Sequence, residues 1–154
     1  MNIKPTLILL IMLVIITAIF ASDRQSRYLE ITNLQLLPNP FTPHSIHIFD
    51  EQNQGQGLRI SFKVETQATF VWVTGRIFNM RGNLVKTISE REPIHSMRGP
   101  DDYGDPVELI YWWNGMTDFN RLAQNGRYFF HLKVSDSEAE NFFQEKIATF
   151  VLVK

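Results

Sequence analysis

The segment Leu58-Arg59-Ile60-Ser61-Phe62-Lys63-Val64 decides the fold class. Apolar and polar residues alternate strictly along it. An extended chain therefore puts Leu58, Ile60, Phe62 and Val64 on one face and Arg59, Ser61 and Lys63 on the other. A helix would scatter the same residues around its circumference. One face meets a core and the other meets water, which is the pattern of an antiparallel sheet.

The same period of two recurs on both sides of this segment, in short runs separated by Gly, Pro, Asn and Asp. Phe70 to Phe78 reads as a longer strand, Asn79-Met80-Arg81-Gly82-Asn83 as a glycine-containing turn, and Leu84 to Ile88 as the return strand of a hairpin. Val107 to Trp113, Gly126 to Ser135 and about Glu145 to Val153 follow, and Ile31 to Leu37 precedes. Along Gly126 to Ser135, Tyr128, Phe130, Leu132 and Val134 share one face. Two polar connections interrupt the series. The longer runs from Ser89 to Pro106, with Pro93, Gly99, Pro100, Gly104 and Pro106, and the other from Asn114 to Asn125. About seven strands in this order predict an all-β, immunoglobulin-like or fibronectin III-like sandwich of antiparallel strands over residues 31–154.

The chain starts differently. Lys4 is followed by a nearly unbroken apolar run, Leu7 to Ala21, and then by the polar stretch Ser22 to Arg27. That order predicts a secretory signal peptide over residues 1–21, helical and cleaved after Ala21, with an uncleaved membrane anchor as the alternative. Residues 22–30 form an extension ahead of the sandwich. Export implies the periplasm, the outer surface or the extracellular medium. The mature chain of about 130 residues can bury roughly two thirds of its unfolded surface. It contains no cysteine, so its core must hold it without disulfides. The net charge of −1 offers no electrostatic attraction to nucleic acid or to an anionic bilayer. Membrane contact is expected only through the first residues.

Four pieces occur in order: Pro38-Asn39-Pro40-Phe41-Thr42-Pro43, then Ile77-Phe78-Asn79-Met80-Arg81-Gly82-Asn83-Leu84-Val85, then Trp113-Asn114-Gly115, then Asn125-Gly126-Arg127-Tyr128-Phe129-Phe130. This series resembles the immunoglobulin-like domain of flagellar hook-capping (FlgD-like) proteins and the related C-terminal sorting domains of type IX secretion cargo. The resemblance spans most of the mature chain and implies the same sandwich. It departs at Asn114, where the family usually has Asp, and in the expanded connection Ser89 to Pro106. Physical chemistry gives each piece a structural task. The two prolines keep the chain out of a helix, and Phe41 folds over the open end of the core. Trp113 fills space between two sheets.

Catalytic chemistry has no visible foothold, and no enzyme or cofactor is expected. His44, His47, His95 and His131 lack the spacing of metal ligands, and neither a nucleophile elbow nor a phosphate-binding glycine loop occurs. Asp101, Asp102 and Asp105, with Gly104 between them and Glu108 beyond, are the one group of oxygens suited to Ca²⁺. They lack the alternate-position spacing of a dedicated calcium loop, so a solvated polar loop is the expectation.

The second face of the central strands is more informative. With Val73, Ile77, Trp113, Tyr128, Phe130 and Leu132 inward, Trp72, Trp112 and Phe129 point outward and are expected to share one outer face. Gly75, in line with the inward set, marks a close approach or a bulge. Either the chain's own segment Ser22 to Leu36 or a long loop covers the three rings, or a protein partner does, including a second copy of the chain. The expected function is a non-catalytic adaptor or accessory subunit. The alternatives are a structural subunit of an extracellular filament or surface layer, and an orphan sorting module.

Overall fold

A computed structural model describes residues 28–43, 57–95, 106–137 and 142–154. The apolar run Leu7 to Ala21 expected to be a signal segment, His44 and His47, and Asp101, Asp102 and Asp105 lie outside the described residues.

Among the described residues seven strands follow one another: β1 (Leu29–Leu37), β2 (Leu58–Thr66), β3 (Phe70–Asn79), β4 (Leu84–His95), β5 (Val107–Trp113), β6 (Gly126–Ser135) and β7 (Phe143–Leu152). They form a three-stranded sheet of order β1-β2-β5 and a four-stranded sheet of order β4-β3-β6-β7, with every neighbouring pair antiparallel. Because β4 pairs with β3 and not with the first sheet, the arrangement is the fibronectin III-like variant of the sandwich.

The alternation of β2 is realised as expected, with Leu58, Ile60, Phe62 and Val64 buried against the second sheet. That sheet answers with Val71, Val73, Ile77, Tyr128, Phe130, Leu132, Val134, Phe150 and Leu152. Trp113, only 1% exposed, ends β5 at the centre of an aromatic cluster. Phe41, Tyr128 and Phe150 surround it at ring-centroid distances of 5.7, 5.9 and 5.6 Å. Tilted and edge-on contacts at such distances suit the ring quadrupoles and add to the burial of the rings.

The Pro-Asn-Pro-Phe segment and the Trp-Asn-Gly triplet lock together at this end. Phe41 donates its N–H to the Val151 carbonyl (2.7 Å) and accepts from Val153 N–H (2.9 Å), so the chain leaving β1 adds a short parallel pairing to β7. Asn39 accepts from Val151 N–H through its side chain. Gly115 has φ +87°, and a Cβ there would stand 2.8 Å from Pro43 Cγ. Only glycine fits both the conformation and the space. Asn114 accepts the Met116 N–H (3.0 Å) and the Trp113 indole donates to the Met116 carbonyl (2.8 Å), so the turn is held by neutral hydrogen bonds.

Tyr128, near the start of β6, donates its hydroxyl to the carbonyl of Gln124, four residues upstream. This is the tyrosine corner of immunoglobulin-type sandwiches. Phe130, two residues on, occupies the place where antibody domains carry a cysteine, and it is fully buried. Across from it, a Cβ on Gly75 would come within 2.9 Å of the Phe130 ring, and the β3–β4 register shifts on both sides of Gly75. The glycine is thus both a close approach and a bulge.

Three strand boundaries differ most from expectation. The connection expected from Ser89 onward is strand as far as His95, because β4 lies at the edge of its sheet, where Pro93 needs no ladder donor. β1 begins at Leu29 and β7 at Phe143, each two residues early. The second connection, Asn114 to Asn125, is a built turn. Met116 pairs with Leu122, and Asp118 reaches β4 by donating its N–H to Val85 and accepting Thr87 N–H through its carboxylate.

Candidate interaction surfaces

Strand pairing assigns the outward residues to two faces, because directly opposed residues in an antiparallel pair point the same way. On the four-stranded sheet the rows read Phe78, Phe129, Thr149; then Arg76, His131, Ile147; then Thr74, Lys133, Glu145; then Trp72, Ser135, Phe143. Rings therefore gather at both ends of this face, with polar groups and the exposed Ile147 between them. At one end Phe78 stacks on Phe129 at 5.2 Å and 14°. At the other, Phe70 lies 6.5 Å from Trp72 and meets His95 edge-on at 4.8 Å, while Lys133 Nζ sits 4.4 Å above the Phe143 ring. Phe70 and Phe143 are each 45% exposed and Ile147 is 65% exposed. Trp72 and Phe129 are half-buried.

The centre of this face is organised by charge. Arg76 makes a fork to the Glu90 carboxylate, with Nη2 at 2.6 and 2.8 Å from its two oxygens. His131 Nε2 lies 3.6 Å from Glu145. This face therefore combines half-buried and exposed rings toward its ends with ion-paired and polar side chains at its middle.

Trp112 belongs elsewhere, which corrects the expectation that three rings share one face. It lies on β5, in the three-stranded sheet, in the row Leu37, Arg59, Trp112. The next rows are Gln35, Ser61, Ile110 and Thr32, Lys63, Glu108. This face looks out from the opposite side of the sandwich, and two stacked sheets are separated by about 10 Å. Trp112 is 38% exposed, Ile110 and Leu37 are exposed beside it, and Arg59 pairs with Glu108 at 3.4 Å. The described part of the N-terminal segment covers none of Trp72, Trp112 and Phe129. It is strand β1, with Leu29, Ile31 and Leu36 in the core.

Phe70, Phe143, Ile147 and Ile110 join the faces without having been singled out in the sequence. Their signal was available, since each stands out of phase with the buried residues of its own strand. On the side of the sandwich where β4 and β5 approach, Tyr111 donates to Glu92 at 2.9 Å and ties the two sheets. Burial, and then this hydrogen bond, push the Tyr111 hydroxyl well above the ordinary tyrosine range. Among the described residues no group of three His, Cys, Asp or Glu could hold a metal ion.

No family profile matches the sequence, and no curated protein matches it. Among solved structures the chain is similar to part of dimeric latent PorU from Porphyromonas gingivalis, with a TM-score of 0.48 and 16% identity over 82% of this chain. The chain spans 9% of the PorU chain. So distant a likeness says nothing of this chain's partners or activity.

Proposed function

We propose that this chain is a non-catalytic, exported binding or assembly module, an adaptor or accessory subunit of a bacterial envelope or cell surface. The observation that carries this is the outer face of the four-stranded sheet. Monomeric soluble proteins seldom leave rings such as Phe70 and Phe143, each 45% exposed in the region of the half-buried Trp72, to solvent unless the surface has a use. Export rests on the leader-like start of the sequence, and the series of motifs that resembles hook-capping and sorting domains is consistent with a role in surface assembly.

The test places a photo-cross-linking side chain at Thr74, in the middle of that face, in cells that produce the protein. Cross-links to a protein should form and should be lost in Trp72→Ser and Phe129→Ser, since buried aromatic anchors commonly carry about 2 kcal/mol or more of an interface. The melting temperature of both variants should stay within a few degrees of the parent. Variants that lose stability while keeping every cross-link would overturn the proposal.

A further inference from the structure

A strand at a sheet edge presents a row of backbone N–H and C=O groups to any extended chain, so folded proteins interrupt, charge or cover their edges. The sandwich has four edge strands, β1, β5, β4 and β7, and three of them carry such devices. β1 is broken by a register shift between Thr32 and Gln35, with Asn33 in the left-handed region at φ 52°. β4 has register shifts against β3, Arg91 at φ 49°, Pro93 without an N–H, and Asp118 seated on Val85 and Thr87. β7 is paired by Phe41 and Asn39 toward its end and bears Glu145 and Lys146 before that.

β5 differs. It runs against β2 without a shift, from Leu58 opposite Trp113 to Val64 opposite Val107. It contains neither proline nor glycine, and its one charge, Glu108, is engaged by Arg59 on the β2 side. Among the described residues nothing pairs with its free edge.

We propose that this edge pairs with the β5 of a second copy, in an antiparallel dimer whose two-fold axis passes through Ile110. The two three-stranded sheets then join into one continuous sheet. A two-fold pairing demands a strand complementary to itself. About Ile110, β5 meets that demand. Ile110 faces the second copy's Ile110, Leu109 faces Tyr111, and Val107 faces Trp113. Glu108 faces Trp112 and so never meets its own counterpart, which would repel it. Arg59 stands opposite Trp112 in the neighbouring strand, so each Glu108 gains an arginine of the other copy in its surroundings. The half-exposed Ile110 and Trp112 lose water together. This deepens the assembly reading, on which it rests, but uses a different surface from the Trp72 and Phe129 face.

Sedimentation equilibrium of the full chain, carrying its own N-terminal segment and kept in a mild non-ionic detergent, tests the pairing. The parent should show a reversible two-chain species. Ile110→Lys and Ile110→Glu, each placing like charges at the axis, should separately weaken association at least about tenfold, the equivalent of 1.4 kcal/mol. Mixing the two variants should restore it. A parent that stays single-chained at every concentration overturns the dimer while leaving the Thr74 cross-linking result untouched. Variants that associate like the parent, or that fail to recover on mixing, overturn the axis at Ile110. If the charged variants do not fold, amide exchange in the parent decides. Protection of the β5 amides facing away from β2 must rise with concentration, and protection independent of concentration refutes the pairing.

Discussion

Trp113 and Trp112 are adjacent in sequence and opposite in fate, so replacing each with alanine isolates what the alternation of β5 contributes. Trp113 is buried among Phe41, Tyr128 and Phe150, and its indole donates to the Met116 carbonyl. Removing a buried ring of this size costs about 3–5 kcal/mol, because neighbours relax only partly into the space. The lost hydrogen bond adds about 1 kcal/mol at most, since water can reach Met116 once the ring is gone. A single domain has about 5–15 kcal/mol in all, and no disulfide is present to limit the damage. For a domain of this size the loss corresponds to a fall of roughly 10–20 °C in melting temperature. Trp112→Ala, on the half-exposed side, should cost about 1 kcal/mol. Both are measured by far-ultraviolet circular dichroism on heating, at low micromolar concentration and beside the parent. A Trp113→Ala variant that melts within a few degrees of Trp112→Ala would refute the assignment of Trp113 to the core and of Trp112 to the surface.

Tyr128→Phe keeps the ring and removes only the donor to Gln124, so urea denaturation should show a loss of about 1 kcal/mol, and an unchanged midpoint would show that the tyrosine corner contributes nothing. Tyr111 gives stability a pH dependence: its folded-state pKa lies above the ordinary 10.0, so its contribution is complete below about pH 10 and is lost as pH rises from there toward the folded value. Tyr111→Phe should therefore flatten the decline of the urea midpoint between about pH 10 and pH 12, and an equal decline in parent and variant would rule out this tyrosine as a source of it.

Much of this architecture was legible because the side-chain period of a strand is a local property. The inward set Val73, Ile77, Trp113, Tyr128, Phe130 and Leu132 is buried as the alternation requires, and β5 and β6 run between the expected residues. Gly75 was legible too, since a glycine on the inward side of a strand leaves a gap that a neighbour must fill, here Phe130. The full length of β4 was not. Charges and a proline from Glu90 to Pro93 are the marks of a loop in isolation, and they become strand only because this strand lies at an edge.

Sequence alone thus determined an all-β domain, the number of strands among the described residues, and which side chains of each strand turn from the core. It could not determine which strand lies beside which. That choice places Trp72 and Phe129 on the four-stranded sheet and Trp112 on the three-stranded one, back to back across the core. It also brings Asp118 to the edge of β4 and leaves the edge of β5 uninterrupted. Inward and outward are set by backbone geometry one residue at a time, whereas the partition of strands between sheets is set by pairings between residues far apart in the chain. Only the folded chain brings those residues together.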